Sequence, residues 1–173
     1  MLMMIYILIG FIFLAILISI LWRYSQKFPC PSWLSWMVEI DNPFTKTNRA
    51  AVIIELLNLK PGMNVLDAGC GPGRLTIPIA VKVEQQGNVT AMDLQFDMLR
   101  KVKEKAQIKK LQNIYYLNAA LGDGKLEHSK YDCALLVTVL GEIPNKNVAF
   151  KEIFDSLKQG GILSVQLSLL LNR

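Results

Sequence analysis

The sequence predicts an α/β protein built on a doubly wound, mainly parallel sheet, and three observations carry that prediction. Short apolar runs with strand character alternate with stretches of helical periodicity over residues 43–173. The first run, Val65-Leu66-Asp67-Ala68, breaks directly into Gly69-Cys70-Gly71-Pro72-Gly73 and then into a helical stretch. The fourth run, residues 131–140, is apolar at nearly every position, as a strand covered by helices on both faces must be.

The elements follow in order. Residues 2–22 are an uninterrupted apolar run without a charge, with Tyr6 and Ser19 its mildly polar members. As a helix it measures about 30 Å, the thickness of a bilayer's hydrocarbon core. A cleavable signal peptide fits less well: the run is too long, no Lys or Arg precedes it, and no small-residue cleavage site follows. The expectation is a single-pass membrane helix over residues 1–23 in contact with the lipid bilayer. Arg23, Lys27 and the basic remainder of the chain then place everything after the helix on the cytoplasmic side.

Residues 24–42 form a connector. Trp33, Trp36, Met37 and Ile40 share one helical face, which suits either the headgroup layer or docking onto the domain that follows. Asn42-Pro43 breaks the chain, and Thr45 or Thr47 caps a helix expected to end near Leu59-Lys60-Pro61-Gly62. Within the domain, residues 43–173, a second strand is expected at Asn88-Val89-Thr90-Ala91-Met92 and a third at residues 114–120. Met98, Leu99, Val102 and Ala106 mark the buried side of one helix. Phe150, Ile153, Phe154 and Leu157 mark another, which Gly160-Gly161 is expected to terminate before a fifth strand at residues 162–165.

The glycine turn carries the functional signal. Glycine lets a backbone approach a ligand more closely than a β-carbon would permit. Asp93, at the end of the second strand, stands at the separation from which a carboxylate reaches the ribose of a bound nucleotide. A dinucleotide fingerprint would need glycine where Arg74 stands, and a phosphate-binding P-loop would need Gly-Lys-Ser/Thr, which is absent. The plainer alternative is that Asp67 and Asp93 merely cap the helices after them.

What remains resembles the class I S-adenosylmethionine-dependent methyltransferases over residues 43–166, and within them the small-molecule group that includes the ubiquinone and menaquinone C-methyltransferases. The resemblance implies strand order 3-2-1-4-5 and S-adenosylmethionine as cofactor. It implies that Asp67 orients the methionine amino group, directly or through water, while the backbone at Gly69 and Gly71 passes beside the methionine. Asp93 would bind both ribose hydroxyls, Leu94 would pack on the adenine face, and the Asn118-Ala119 loop would meet the adenine edge. Relatives often carry an acid in that loop; here the Asn118 carbonyl would replace it. The resemblance also implies a helix and two further strands after strand five, so the chain ending at Arg173 is expected to be an incomplete domain, by truncation of the reading frame in preference to completion by a partner chain.

The expected activity is methyl transfer to a small acceptor, with a lipophilic one favoured by the anchor. The rival is a membrane-tethered or degenerate S-adenosylmethionine-binding module that transfers nothing. No catalytic base is assigned. Glu142, just past the fourth strand, is the one candidate, with a surface or helix-capping carboxylate its plainer reading. Three scattered cysteines, Cys30, Cys70 and Cys133, indicate neither a disulfide framework nor a metal site, and His128 has no nucleophile at recognisable spacing. The formal net charge is +5, with Lys or Arg at 100, 101, 103, 105, 109 and 110. That run is read as a solvated helix face or a lipid contact. It lacks the interleaved aromatics that stack on bases, so nucleic acid is not expected as a partner. The sequence gives no indication of oligomeric state.

Overall fold

A computed structural model describes residues 10, 12–14, 16–17 and 49–166. The chain divides into two units, Met1–Cys30 and Pro31–Arg173. In the first, the described residues are helical; the rest of the expected membrane helix and the whole connector, Thr45 and Thr47 included, lie outside the described residues. Among the described residues no helix is long and apolar enough to cross a membrane.

The second unit runs α1 (Ala50–Leu56), β1 (Asn64–Ala68), α2 (Thr76–Val83), β2 (Asn88–Asp93), α3 (Phe96–Ile108), β3 (Ile114–Asn118), β4 (Tyr131–Val137), α4 (Lys146–Ser156) and β5 (Leu157–Gln166). The five strands form one sheet in the order 3-2-1-4-5, every neighbouring pair parallel. Alternation along each strand divides the core in two. Val65, Val89, Ala91 and Leu135 pack with Ile53 of α1, Ile79 and Val83 of α2, and Leu99 and Val102 of α3. Leu66, Ala68, Met92, Ala134 and Leu136 pack with Ala149 and Ile153 of α4 on the other face. Burying each such aliphatic side chain contributes about 1.5–3 kcal/mol.

Polar groups that the local pattern gave no reason to single out hold the joints. The Asn113 side chain, 3 % exposed, donates to the carbonyls of Ala80 and Glu84 and so satisfies the C-terminal end of α2. Between β3 and β4 the chain crosses without a helix, over residues 119–130. Its course is fixed from α4, where the Glu152 carboxylate accepts backbone N–H groups from Gly122, Lys125 and Leu126. At the opposite end of the sheet from the glycine turn, Asp132 accepts the Asn64 N–H and both of its oxygens meet Lys158. These donors hold its carboxyl below the usual range despite partial burial.

One expected boundary is corrected. Gly160-Gly161 does not end α4, which stops at Ser156; Leu157 is already extended at φ −76°, ψ 143°. Leu157 is buried and pairs with Tyr131, after which the register slips so that Cys133 faces Ile162. The glycines make the bulge in β5, Gly160 at φ +80°.

Candidate functional site

The strand order reverses beside β1, so β2 lies on one side of it and β4 on the other, and the carboxyl ends of the strands open the crevice in which ligands of such sheets bind. The glycine turn leaves β1 there. Gly69 and Cys70 both donate to the Met92 carbonyl, at 2.8 and 3.0 Å, and Lys105 of α3 reaches the Pro72 carbonyl at 2.8 Å. Gly69 has φ +72° and Gly73 φ +89°, conformations that a side chain strains.

The two acids lie at this turn and divide their work. Asp67 points to the α1–α3 face, is 3 % exposed, and accepts the Thr76 hydroxyl at 2.6 Å. Burial pushes its carboxyl up to about 6, with the Asp93 charge adding to the rise, while the Thr76 hydroxyl, the Arg74 charge and the Thr76 backbone N–H oppose it. Asp93, at the end of β2, accepts the Gly71 N–H at 2.9 Å on one oxygen and the Gln95 N–H at 2.8 Å on the other. Burial raises this carboxyl too, against those two backbone donors. Each acid thus also has a local structural role: Asp67 holds the hydroxyl of Thr76, the first residue of α2, and Asp93 holds the N–H of Gln95, the residue that precedes α3. Asp93 differs in using only two of roughly four acceptor positions while being only partly buried.

The remaining predicted positions gather beside Asp93. Asn118 is its register partner on β3, and the Asn118 amide nitrogen donates to the carbonyls of Asp93 and Leu94, both at 2.9 Å. Those two acceptors fix the amide, leaving its oxygen to accept. Ala119 donates its N–H to the Asp93 carbonyl, and Leu94 is 59 % exposed, an apolar side chain with a free face. Gly69, Gly71, Asp93, Leu94, Asn118 and Ala119 are therefore brought to one rim, and Asp67 lies beneath it.

Three residues of the site carried no functional signal in the sequence. Thr76 holds Asp67, and Arg74, read only as a missing glycine, places a positive charge within reach of that carboxylate. Val139, after β4, lies against Gly69: a β-carbon there would stand 2.3 Å from one Val139 methyl and 2.9 Å from the other. Thr138, just before it, has φ +61°, strained for a β-branched residue.

A parallel 3-2-1-4-5 sheet with a glycine turn after β1 and a carboxylate ending β2 defines an α/β domain of the kind that binds nucleotide-like cofactors. The profile of a methyltransferase-domain family matches residues 59–170, and the chain belongs to that family. It is 26 % identical over 111 residues to a demethylmenaquinone methyltransferase of Listeria welshimeri, an alignment covering 64 % of this chain and 47 % of that one. The chain thus spans about half the length of the curated relatives it matches. Among solved structures it is similar to an S-adenosylmethionine-dependent methyltransferase from Aquifex aeolicus, with TM-score 0.69, 22 % identity, and 79 % of this chain and 72 % of that one covered. It is also similar to the [4+2]-cyclase SpnF, with TM-score 0.61, 23 % identity, and 67 % and 42 % covered. These structural likenesses concern the fold, and the second shows that the fold also serves other chemistry.

Proposed function

We propose that this chain is an S-adenosylmethionine-dependent methyltransferase that acts on a small, lipophilic acceptor at the cytoplasmic face of a membrane. The observation that carries the reading is the Asp93 carboxylate at the end of β2, tied to the glycine turn through the Gly71 N–H and flanked by Leu94 and Asn118. The residues fit the cofactor. Asp93 retains acceptor capacity for ribose hydroxyls, exposed Leu94 offers an apolar face to the adenine ring, and the free Asn118 oxygen suits the adenine amino group. The turn also lacks the third glycine and the lysine that would hold phosphates, which this cofactor does not have.

When bound, S-adenosylmethionine supplies a methyl group on a positively charged sulfur. The protein contributes alignment and electrostatics. Asp67 and Asp93 provide negative charge on the side of the glycine turn where a cationic ligand would lie, and the rim residues orient the nucleoside end. Two sequence features support the membrane location: the apolar run at residues 2–22 and the basic residues that follow it. The family relatives named for demethylmenaquinone support a quinone-like acceptor.

Incubating the full chain in native membranes with methyl-labelled S-adenosylmethionine, then separating lipid from aqueous fractions, tests this reading. Label in the lipid fraction is expected, and label confined to water-soluble products would overturn the lipophilic acceptor. Binding without any transfer would favour the tethered binding module. Asp93→Ala is expected to weaken S-adenosylhomocysteine binding by about 1–3 kcal/mol, roughly 5- to 150-fold, through lost charge-assisted hydrogen bonds. Calorimetry checks this. Asp93→Asn, which keeps one acceptor oxygen for the turn, separates the charge from the loop's support.

A further inference from the structure

α3 turns to solvent a face that its packing in the fold does not explain. Met98, Leu99, Val102 and Ala106 bury one side of the helix. Along a second stripe Phe96, Arg100, Lys103 and Gln107 recur at i, i+4, i+7 and i+11, and all four are exposed, Phe96 at 69 %. α3 starts just past the end of β2, so Phe96 stands at the crevice end of the sheet, two residues after Leu94. Lys103 follows within about 10 Å along the helix axis.

The plain reading of a charged helix face is solvation, and several of these charges have local duties. Lys105 holds the Pro72 carbonyl, and Lys109, at the C-terminal end of α3, complements the helix dipole. Arg100 meets Asp97 at 3.2 Å in an exposed pair that contributes little. What these duties leave over is an excess of one sign beside an exposed aromatic ring. Residues 96–110 hold six Lys or Arg against Asp97 and Glu104, whereas α4 balances Lys146 and Lys151 with Glu152 and Asp155. Lys103 stands in mid-helix with no ion-pair partner among the described residues.

We propose that this face of α3 docks on an anionic lipid surface, with Arg100 and Lys103 among the headgroups and Phe96 inserted between them. The charge is complementary: each basic residue close to an anionic leaflet strengthens the attraction about fivefold. An aromatic ring suits the headgroup layer. An acidic protein would match the charge as well, but the apolar run at residues 2–22 of the same chain favours lipid. This rests on the membrane location proposed above and adds an orientation to it. With Phe96 and Arg100 in the headgroup layer, the mouth of the crevice beside Asp93 and Leu94 faces the leaflet, and a lipophilic acceptor enters without crossing water.

Acetylation footprinting of the full chain in lipid nanodiscs tests the orientation. Discs of phosphatidylcholine alone are compared with discs that also contain phosphatidylglycerol, and acetic anhydride modification is read lysine by lysine by mass spectrometry. Lys103 is expected to react at least about fivefold more slowly in the anionic discs, while Lys151, exposed on α4, reacts alike in both. Arg100→Gln and Phe96→Ser are each expected to restore much of the Lys103 rate in anionic discs without changing S-adenosylhomocysteine affinity. High salt should act in the same direction.

Equal Lys103 rates in the two discs would overturn the proposal: slow in both would assign the face to another segment of this chain, and fast in both would return it to solvent. Slowing of Lys151 as great as that of Lys103 would show a general attraction with no oriented face, and would overturn it equally. A chain that stays with neither disc would overturn the membrane location and this proposal together. A chain that gives the expected footprint but neither binds S-adenosylhomocysteine nor transfers a methyl group would overturn the methyltransferase reading and uphold the docking face.

Discussion

Gly69→Ala is expected to destabilise the domain by about 2–5 kcal/mol, a large fraction of the stability of a domain this size. Two costs add. A left-handed backbone conformation disfavours an alanine by roughly 1–2 kcal/mol, and Gly69 sits at φ +72°. Overpacking costs about 1–3 kcal/mol more, because the new β-carbon would meet both Val139 methyls, at 2.3 and 2.9 Å. Valine cannot swing a flexible end aside, so its whole turn must shift. Val139→Ala removes both methyls and leaves only its β-carbon, 3.1 Å from the added atom. In a double-mutant cycle followed by urea unfolding, Val139→Ala should therefore recover about 1 kcal/mol or more of the loss, the remainder being backbone strain. Strict additivity would show that Val139 does not lie on the glycine turn.

Asp67→Asn is expected to raise stability at pH 8 while weakening cofactor binding. Burial raises the folded-state value of this carboxyl from 3.8 to about 6, so between those values the folded chain binds more protons than the unfolded one. Its contribution is fully present below about pH 4 and is lost as pH rises through about 6, a decline of about 3 kcal/mol. An asparagine oxygen can still accept the Thr76 hydroxyl, and the variant lacks the decline. Denaturant unfolding of both proteins at pH 4 and pH 8 should show a difference of that order appearing only at the higher pH. A gain in stability joined to a loss of binding is the expected mark of a charge buried for function. An Asn variant less stable at pH 8 would instead assign Asp67 a purely structural role.

The sheet was legible because its signals are local. An apolar strand ending in Asp67 and the glycine turn, a second ending in Asp93, and the buried β4 can each be read from adjacent residues. The helix face of Met98, Leu99, Val102 and Ala106 likewise repeats at helical spacing and is buried as expected, whereas of the face expected on α4 Ile153 is buried, Phe150 half-buried and Phe154 64 % exposed, because the helix turns Ala149 and Ile153 to the sheet instead. What was not legible depends on partners distant in sequence. Nothing around Val139 indicates that it will lie on Gly69, and nothing around Glu152 shows that it will hold the β3–β4 crossing by three backbone donors. Asn113 reads as an ordinary loop residue until α2 ends beside it. The end of α4 was misplaced because glycine is the commonest helix stop, whereas here the pairing of buried Leu157 with Tyr131 ends the helix first. For Asp67 and Asp93 the sequence posed cap against ligand. The geometry ties both acids to the residues that begin the following helices and leaves spare acceptor capacity at Asp93.

Calorimetric titration of the full chain, in detergent micelles, with S-adenosylhomocysteine and in parallel with NAD tests the central claim most directly. The account predicts saturable binding of S-adenosylhomocysteine that Asp93→Ala weakens roughly 5- to 150-fold, with no comparable response to NAD. Tight binding of NAD with no response to S-adenosylhomocysteine would contradict it.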